Sequence, residues 1–169
     1  MDTTEIADRI AIAETLARYC RGIDRCDAAL LAEVFTPDAR IDYGDGAKSP
    51  ADTIPGLMAG LGGMRLTQHN ISNTVMQITA ATAKAETNCV ALHLIPSPDG
   101  DFELVVGGRY LDTLVKADGD WRIAERLYVM DWNRTVPSTM QWEGGLFDSL
   151  QRRGARGAED PSAVWWQNG

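Results

Sequence analysis

Between Met64 and Trp132 apolar and polar residues alternate with a period of two through four successive segments, HNISNTVMQIT, TAKAETNCVALHLI, FELVVGGRYLDTLVK and WRIAERLYVMDW. A strand turns successive side chains to opposite faces, so the alternation predicts four consecutive β-strands, each with a face to bury. The runs between them, PSPDG and ADGD among them, are short and turn-forming, which makes neighbours antiparallel. Gly107 and Gly108 allow a bend or bulge in the third strand. A sheet of this kind needs a cover, and the residues before it supply one.

From Thr3 to Tyr19, Ile6, Ile10, Ala13 and Ala17 recur every three to four positions, with Leu16 and Cys20 widening the stripe, which predicts an amphipathic helix. Thr3 or Thr4 can cap it and Gly22 interrupts it near its end. Asp27 can cap a second helix, AALLAEVF, before TPD stops it and ARIDY begins a short strand. The Gly- and Pro-rich run from Gly44 to Met64 holds a short helix or lid over Asp52 to Leu61. At 169 residues and 44% hydrophobic content the chain can bury one core and is read as one domain. The expected class is α+β, a curved and mostly antiparallel sheet with the helices packed on it. From Asn133 the alternation weakens while Trp142, Phe147, Trp165 and Trp166 remain, so residues 133–169 are expected to fold over the open end of the sheet or over a neighbouring subunit. The RRGARG tract within them is followed by Glu159 and Asp160 and reads as a solvated turn.

A formal charge of −8 argues against a nucleic-acid partner. The acidic start MDTTEIADRI and the absence of a long apolar run point to a cytoplasmic protein with no membrane partner. Three cysteines, Cys20, Cys26 and Cys89, fit free thiols in a reducing compartment. No HExxH, thiolate quartet, Walker A or strand-borne GxGxxG occurs, so neither a metal nor an organic cofactor is expected.

Strict alternation puts His69, Ile71, Asn73 and Val75 on one side of the first long strand, and Ala83, Ala85, Thr87, Cys89, Ala91 and His93 on one side of the next. The second surface is lined by small residues, which leaves room for a ligand. In the last strand Ala124, Arg126, Tyr128 and Met130 face opposite to Trp121, Ile123, Leu127 and Val129. Two histidines and an arginine on an otherwise apolar surface suit a hydrophobic substrate with a few polar groups. Asp24, in RYCRGIDRCD, caps the turn into the second helix, or pairs with Arg21 or Arg25, or reaches His69. In the last case the carboxylate fixes the imidazole tautomer and the other ring nitrogen takes a proton from substrate. Tyr19, Tyr43 and Arg126 are either core-edge residues or stabilisers of developing oxygen charge.

Taken together, ARYCRGIDRCDAALLAEVFTPDARIDY, TQHNISN and GGRYLDTLVKADGDWRIAERLY resemble the SnoaL-like branch of the NTF2-like superfamily, the α+β cones that include scytalone dehydratase, hexachlorocyclohexane dehydrochlorinase and bile-acid dehydratase. The resemblance spans about residues 4–132 and implies a cone around a deep pocket, completed by ARIDY and other short edges. It implies Asp24 as interior acid and His69 as general base. Tyr19 matches a pocket tyrosine of the bile-acid branch, Tyr43 lies near one used in scytalone dehydratase-like sites, Arg126 aligns with a late arginine of the dehydrochlorinases, and His93 matches a second histidine. The dehydrochlorinase lysine is replaced by Arg21, and the aspartate expected beside the histidine in the bile-acid pattern is not plainly present, which argues against those two reactions. The implied activity is a cofactor-independent lyase, a dehydratase or deformylase, acting on a hydroxylated, aromatic, hydrophobic small molecule. An isomerase or cyclase acting on a polyketide- or steroid-like substrate, and a noncatalytic ligand-binding or protein-interaction domain, are the alternatives on the same cone. The resemblance further implies a homotrimer, with a dimer as the alternative.

Overall fold

The computed structural model describes residues 2–167. The first helix, α1, runs from Thr3 to Asp24 and is capped by Asp2, one residue before the expected threonines, whose carboxylate accepts the Glu5 amide. Its buried face is Asp8, Ile12, Thr15, Leu16, Tyr19, Cys20 and Ile23, whereas Ile6, Ile10, Ala13 and Ala17 are exposed. The helix is rotated from the apolar stripe because its polar inward residues find partners. Asp8 accepts hydrogen bonds from Lys116 Nζ at 2.7 Å and Trp121 Nε1 at 2.9 Å, and Thr15 donates to the Trp121 carbonyl at 3.0 Å. A buried polar group so satisfied costs little to keep inside.

Gly22 lies within α1 and does not break it. Leu31 of the next helix sits only 2.7 Å from where a Cβ would be, so the glycine sets how closely the two helices pack. Cys26, with a left-handed φ of 51°, turns the chain into α2 (Ala28–Val34), capped as expected by Asp27. Strand β1 begins at Phe35 and runs to Asp42. TPD therefore lies inside the strand, and an irregularity between Phe35 and Arg40 accommodates Pro37, which has no N–H to give to a ladder. Helix α3 (Pro50–Gly62), capped by Ser49, fills the Gly- and Pro-rich run and continues through Pro55.

Strands β2 (Leu66–Thr79), β3 (Thr82–Ile95), β4 (Phe102–Ala117) and β5 (Asp120–Pro137) form an antiparallel meander. β1 adds to β5 in parallel, giving the order β1-β5-β4-β3-β2. The result is the expected α+β cone, a curved mixed sheet packed by the N-terminal helices. Asp118 and Gly119, both with positive φ, make the β4–β5 turn a two-residue hairpin of the primed kind.

Bulges correct the strict face counting. Thr113 pairs with Glu125 and Leu114 with Ile123, so Ala124 is an extra residue in β5. It brings Trp121 and Ile123 to the same buried side as Arg126 rather than the opposite one. In β2 the pairing slips between Ser72 and Val75, where Asn73 has a φ of 51°, ending the alternation that would have carried His69 in line with Val75. A third bulge falls between Gly107 and Gly108. There a Cβ on Gly108 would lie 2.3 Å from the Val129 carbonyl oxygen and 2.7 Å from the Tyr128 hydroxyl. Gly108→Ala is therefore expected to lower stability by about 1–3 kcal/mol, as overpacking does, measured by chemical denaturation.

After Pro137 the chain forms two 3-10 turns, Gly145–Ser149 and Gly157–Glu159, and a short helix, α4 (Pro161–Gln167). No described helix is long and apolar enough to cross a membrane.

Candidate active site

Asp24 is the last residue of α1 and its side chain is buried there. The local sequence explains how: α1 continues past Gly22, and the Cys26 turn keeps the helix end against the start of β2. Three donors from β2 then converge on the carboxylate. Thr67 Oγ1 donates to Oδ1 at 3.0 Å, the His69 backbone amide donates to Oδ2 at 2.8 Å, and His69 Nδ1 lies 2.7 Å from Oδ1. A carboxylate with three donors is held in one orientation. Since it can only accept, Nδ1 carries the proton and Nε2 is the basic nitrogen left for chemistry. The Asp24–His69 pair expected from the sequence is thus present and buried, in a geometry consistent with a catalytic dyad.

His69 forms part of the wall of a cavity of about 240 Å³. The wall holds both histidines and all four tyrosines of the chain, His69, His93, Tyr19, Tyr43, Tyr110 and Tyr128. Ile23, Leu57, Leu61 and Val106 make the rest of its lining apolar, and the small Cys89 and Ala91 of β3 leave the space that strand was expected to leave. Larger depressions occur elsewhere, such as one of about 420 Å³ over Val75, Lys84 and Thr113, but they bring no histidine to a carboxylate.

The tyrosines are organised around a hydrogen bond of 2.7 Å between the Tyr19 and Tyr43 hydroxyls. Burial pushes the Tyr19 phenol well above its ordinary range, reinforced by Tyr43, and burial likewise raises Tyr43 and Tyr110. All three remain protonated near neutrality and can donate. His93 meets His69 edge to face at 5.5 Å, with its Nδ1 3.3 Å from the Leu104 carbonyl. Burial, then the neighbouring His69, lowers its pKa, so it stands as a neutral imidazole.

Arg126 does not belong to the cavity wall. It is completely buried behind the tyrosines, with Nε and Nη2 each 2.7 Å from Asp112, and its guanidinium stacks 3.9 Å from the Tyr19 ring centre and 4.1 Å from that of Tyr110. Its charge opposes the effect of burial on Tyr19 and Tyr43. Asp112, which sequence reasoning missed, carries no motif; its pairing with Arg126 depends on the β5 bulge.

Sequence reasoning also missed the role of the RRGARG tract. Arg156 is not on a solvated turn: it is half-buried against the end of α1, and Asp160 is buried beside Arg25, with 3.6 Å between Asp160 Oδ2 and Arg25 Nε. Burial raises the Asp160 pKa but is outweighed by hydrogen bonds from Ser162 and the Ala155 amide, which bring it down to about 2. All three cysteines are free, and burial raises the Cys20 thiol to about 12. Among the described residues no three His, Cys, Asp or Glu side chains converge as a metal site would require.

Comparison with known proteins agrees with this architecture. An uncharacterized protein of Mycobacterium tuberculosis is 30% identical over 131 residues, covering 75% of this chain and 88% of its own length. A solved structure from Novosphingobium aromaticivorans, provisionally assigned as a scytalone dehydratase, superposes with a TM-score of 0.70 at 24% identity, covering 83% of this chain and 94% of that one. The hexachlorocyclohexane dehydrochlorinase of Novosphingobium barchaimii superposes with a TM-score of 0.72 at 16% identity, covering 86% and 100%. At these identities the structural matches speak for the fold. The SnoaL-like domain profile matches residues 4–127, from the first turn of α1 to the bulged half of β5 that bears Arg126, and with it this chain belongs to the SnoaL-like domain family.

Proposed function

We propose that the protein is a cofactor-independent lyase that removes water, or formaldehyde by a retro-aldol cleavage, from a small hydroxylated aromatic molecule. The observation that supports it is the convergence of the Asp24–His69 pair with every tyrosine of the chain on one apolar cavity. In this reading His69 Nε2 takes a proton from the carbon next to the breaking bond, or from the hydroxyl whose collapse releases formaldehyde; in the latter case the electron pair of the broken carbon–carbon bond passes into the conjugated substrate, whose carbon takes the proton back from the imidazolium. Asp24 stabilises the imidazolium that forms. In water loss the Tyr19–Tyr43 pair hydrogen-bonds the departing oxygen, which takes up the proton that His69 removed and leaves as water, returning the imidazole to its neutral form. Arg126, stacked behind Tyr19, makes the pair better donors without touching substrate. A volume of about 240 Å³ supports one substituted ring rather than a steroid.

The neutral His93 beside His69 favours a second reading, in which the abstracted proton is returned at another carbon and the enzyme is an isomerase or cyclase. The three free thiols support a cytoplasmic setting. Exposed Val90 and Leu127, which alternate with the inward-facing residues of β3 and β5, support assembly of copies through the outer sheet face, with a trimer expected and a dimer as the alternative. Residues 133–169 are proposed to act as an extension over the pocket or subunit interface.

The test is incubation with a panel of hydroxylated arylpropanoid and alicyclic compounds, followed by mass spectrometry. The expected result is a product lighter by one water or one formaldehyde, with no added cofactor. An isomeric product, of unchanged mass in H₂O and heavier by one deuterium in D₂O, selects the isomerase, and binding without any change of the ligand rejects catalysis.

A further inference from the structure

The C-terminal segment makes a set of contacts that the reaction scheme does not use. Arg156 Nη1 lies 3.4 Å from the Asp24 carbonyl, 3.0 Å from Cys26 Sγ and 3.5 Å from Thr67 Oγ1, and its Nη2 lies 3.4 Å from the Met64 carbonyl. One guanidinium thus joins the last residue of α1, the turn after it and the entry to β2. The neighbouring Gly157 amide donates to the Arg25 carbonyl at 2.6 Å, and Asp160 receives Arg25, so the segment is fastened to the same junction at three points.

The placement matters for charge as well as contact. The end of α1 carries unsatisfied carbonyls and the negative pole of the helix, where a cation is favourable. Arg156 supplies that cation from 132 residues further along the chain. Its partner Thr67 is also the residue whose hydroxyl donates to Asp24 Oδ1. The guanidinium therefore holds both the backbone of the acid and the hydroxyl that orients its carboxylate. The SnoaL-like match ends at residue 127, well before this segment.

We infer that Arg156 is a positioning residue for the Asp24–His69 pair: it clamps the end of α1 to β2 so that the carboxylate stays in register with the imidazole. The inference rests on reading that pair as catalytic, but its test does not depend on turnover. The Nδ1 proton of a histidine held on a carboxylate gives a low-field proton resonance, visible only while the bond shields it from exchange with water. With two histidines in the chain, loss of the signal in His69→Gln and its retention in His93→Gln assign it.

In the full-length protein, Arg156→Ala is expected to accelerate exchange of that proton by about tenfold or more, while the amide spectrum away from the junction stays native. Arg156→Lys, whose ammonium cannot reach four acceptors at once, should fall between the two, and Arg152→Ala, an exposed change in the same tract, should match wild type. If Arg156→Ala does not fold, the lysine variant carries the test. A wild-type exchange rate in a folded Arg156→Ala or Arg156→Lys protein overturns the inference, leaving the proposed lyase chemistry to stand or fall on the product assay.

Discussion

Replacing His69 by alanine is expected to lower kcat by about 10²- to 10⁴-fold on whichever compound the product assay identifies, with melting behaviour close to wild type. The side chain lines an existing cavity, so its removal enlarges that cavity without stripping the sheet of a core residue. Asp24→Asn should be nearly as damaging for a different reason. The carboxylate accepts from Thr67, from the His69 amide and from His69 Nδ1. An amide has one acceptor oxygen, so its NH₂ group must face at least one of these donors or turn the imidazole to the wrong tautomer. Its loss should therefore appear in kcat with KM little changed, as expected for a group that acts on charge formed in the transition state. Normal turnover in either variant, measured at saturating substrate, removes the pair from the mechanism.

The largest expected effect on stability comes from Asp112→Ala. Arg126 is buried completely, and Asp112 is its counter-charge through two bonds of 2.7 Å. Taking away the carboxylate leaves a guanidinium between aromatic rings with no anion, a change that costs about 3–5 kcal/mol. Tyr19 and Tyr110 offset part of this through their faces, which lie near 4 Å from the charge. A double change, Asp112→Leu with Arg126→Met, removes both charges and should recover much of the lost stability, because the cost lies in the orphaned ion rather than the missing bond. Denaturant unfolding of the two variants separates these terms. A loss below about 1 kcal/mol for Asp112→Ala would show that water or a shifted side chain already solvates the arginine.

How far the sequence foretold this arrangement varies with the kind of interaction. The sheet was legible because alternation is a local property, and β2 to β5 lie where it placed them, apart from a longer start to β2 and a longer end to β5. Asp24 and His69 were legible through motif resemblance; nothing in RYCRGIDRCD alone distinguishes an interior acid from a cap. The orientation of α1 was not legible. Ile6 and Ile10 are more apolar than Asp8 and Thr15, yet the latter pair is buried, because Trp121 and Lys116, more than a hundred residues away, satisfy it. Face counting on β5 failed at Ala124 for a similar reason: a bulge is decided by the pairing of two strands, and one strand's sequence does not show it. Arg156 looked like any arginine in a basic run, since its four acceptors come from two separated segments, residues 24–26 and 64–67.

The parallel pairing of β1 with β5 has a consequence for how the chain acquires its shape. β1 ends at Asp42, yet the strand it joins is not complete until Pro137. During synthesis the N-terminal segment must wait for nearly the whole meander before β1 finds its ladder, whereas the β2–β3–β4 hairpins close over short loops as they emerge. Tyr43, just beyond β1, reaches its place on the cavity wall only when that late pairing is made. A nascent chain stalled before β5 would carry Asp24 and His69 and still have no enclosed site, so competence for ligand should emerge as one of the last events of folding.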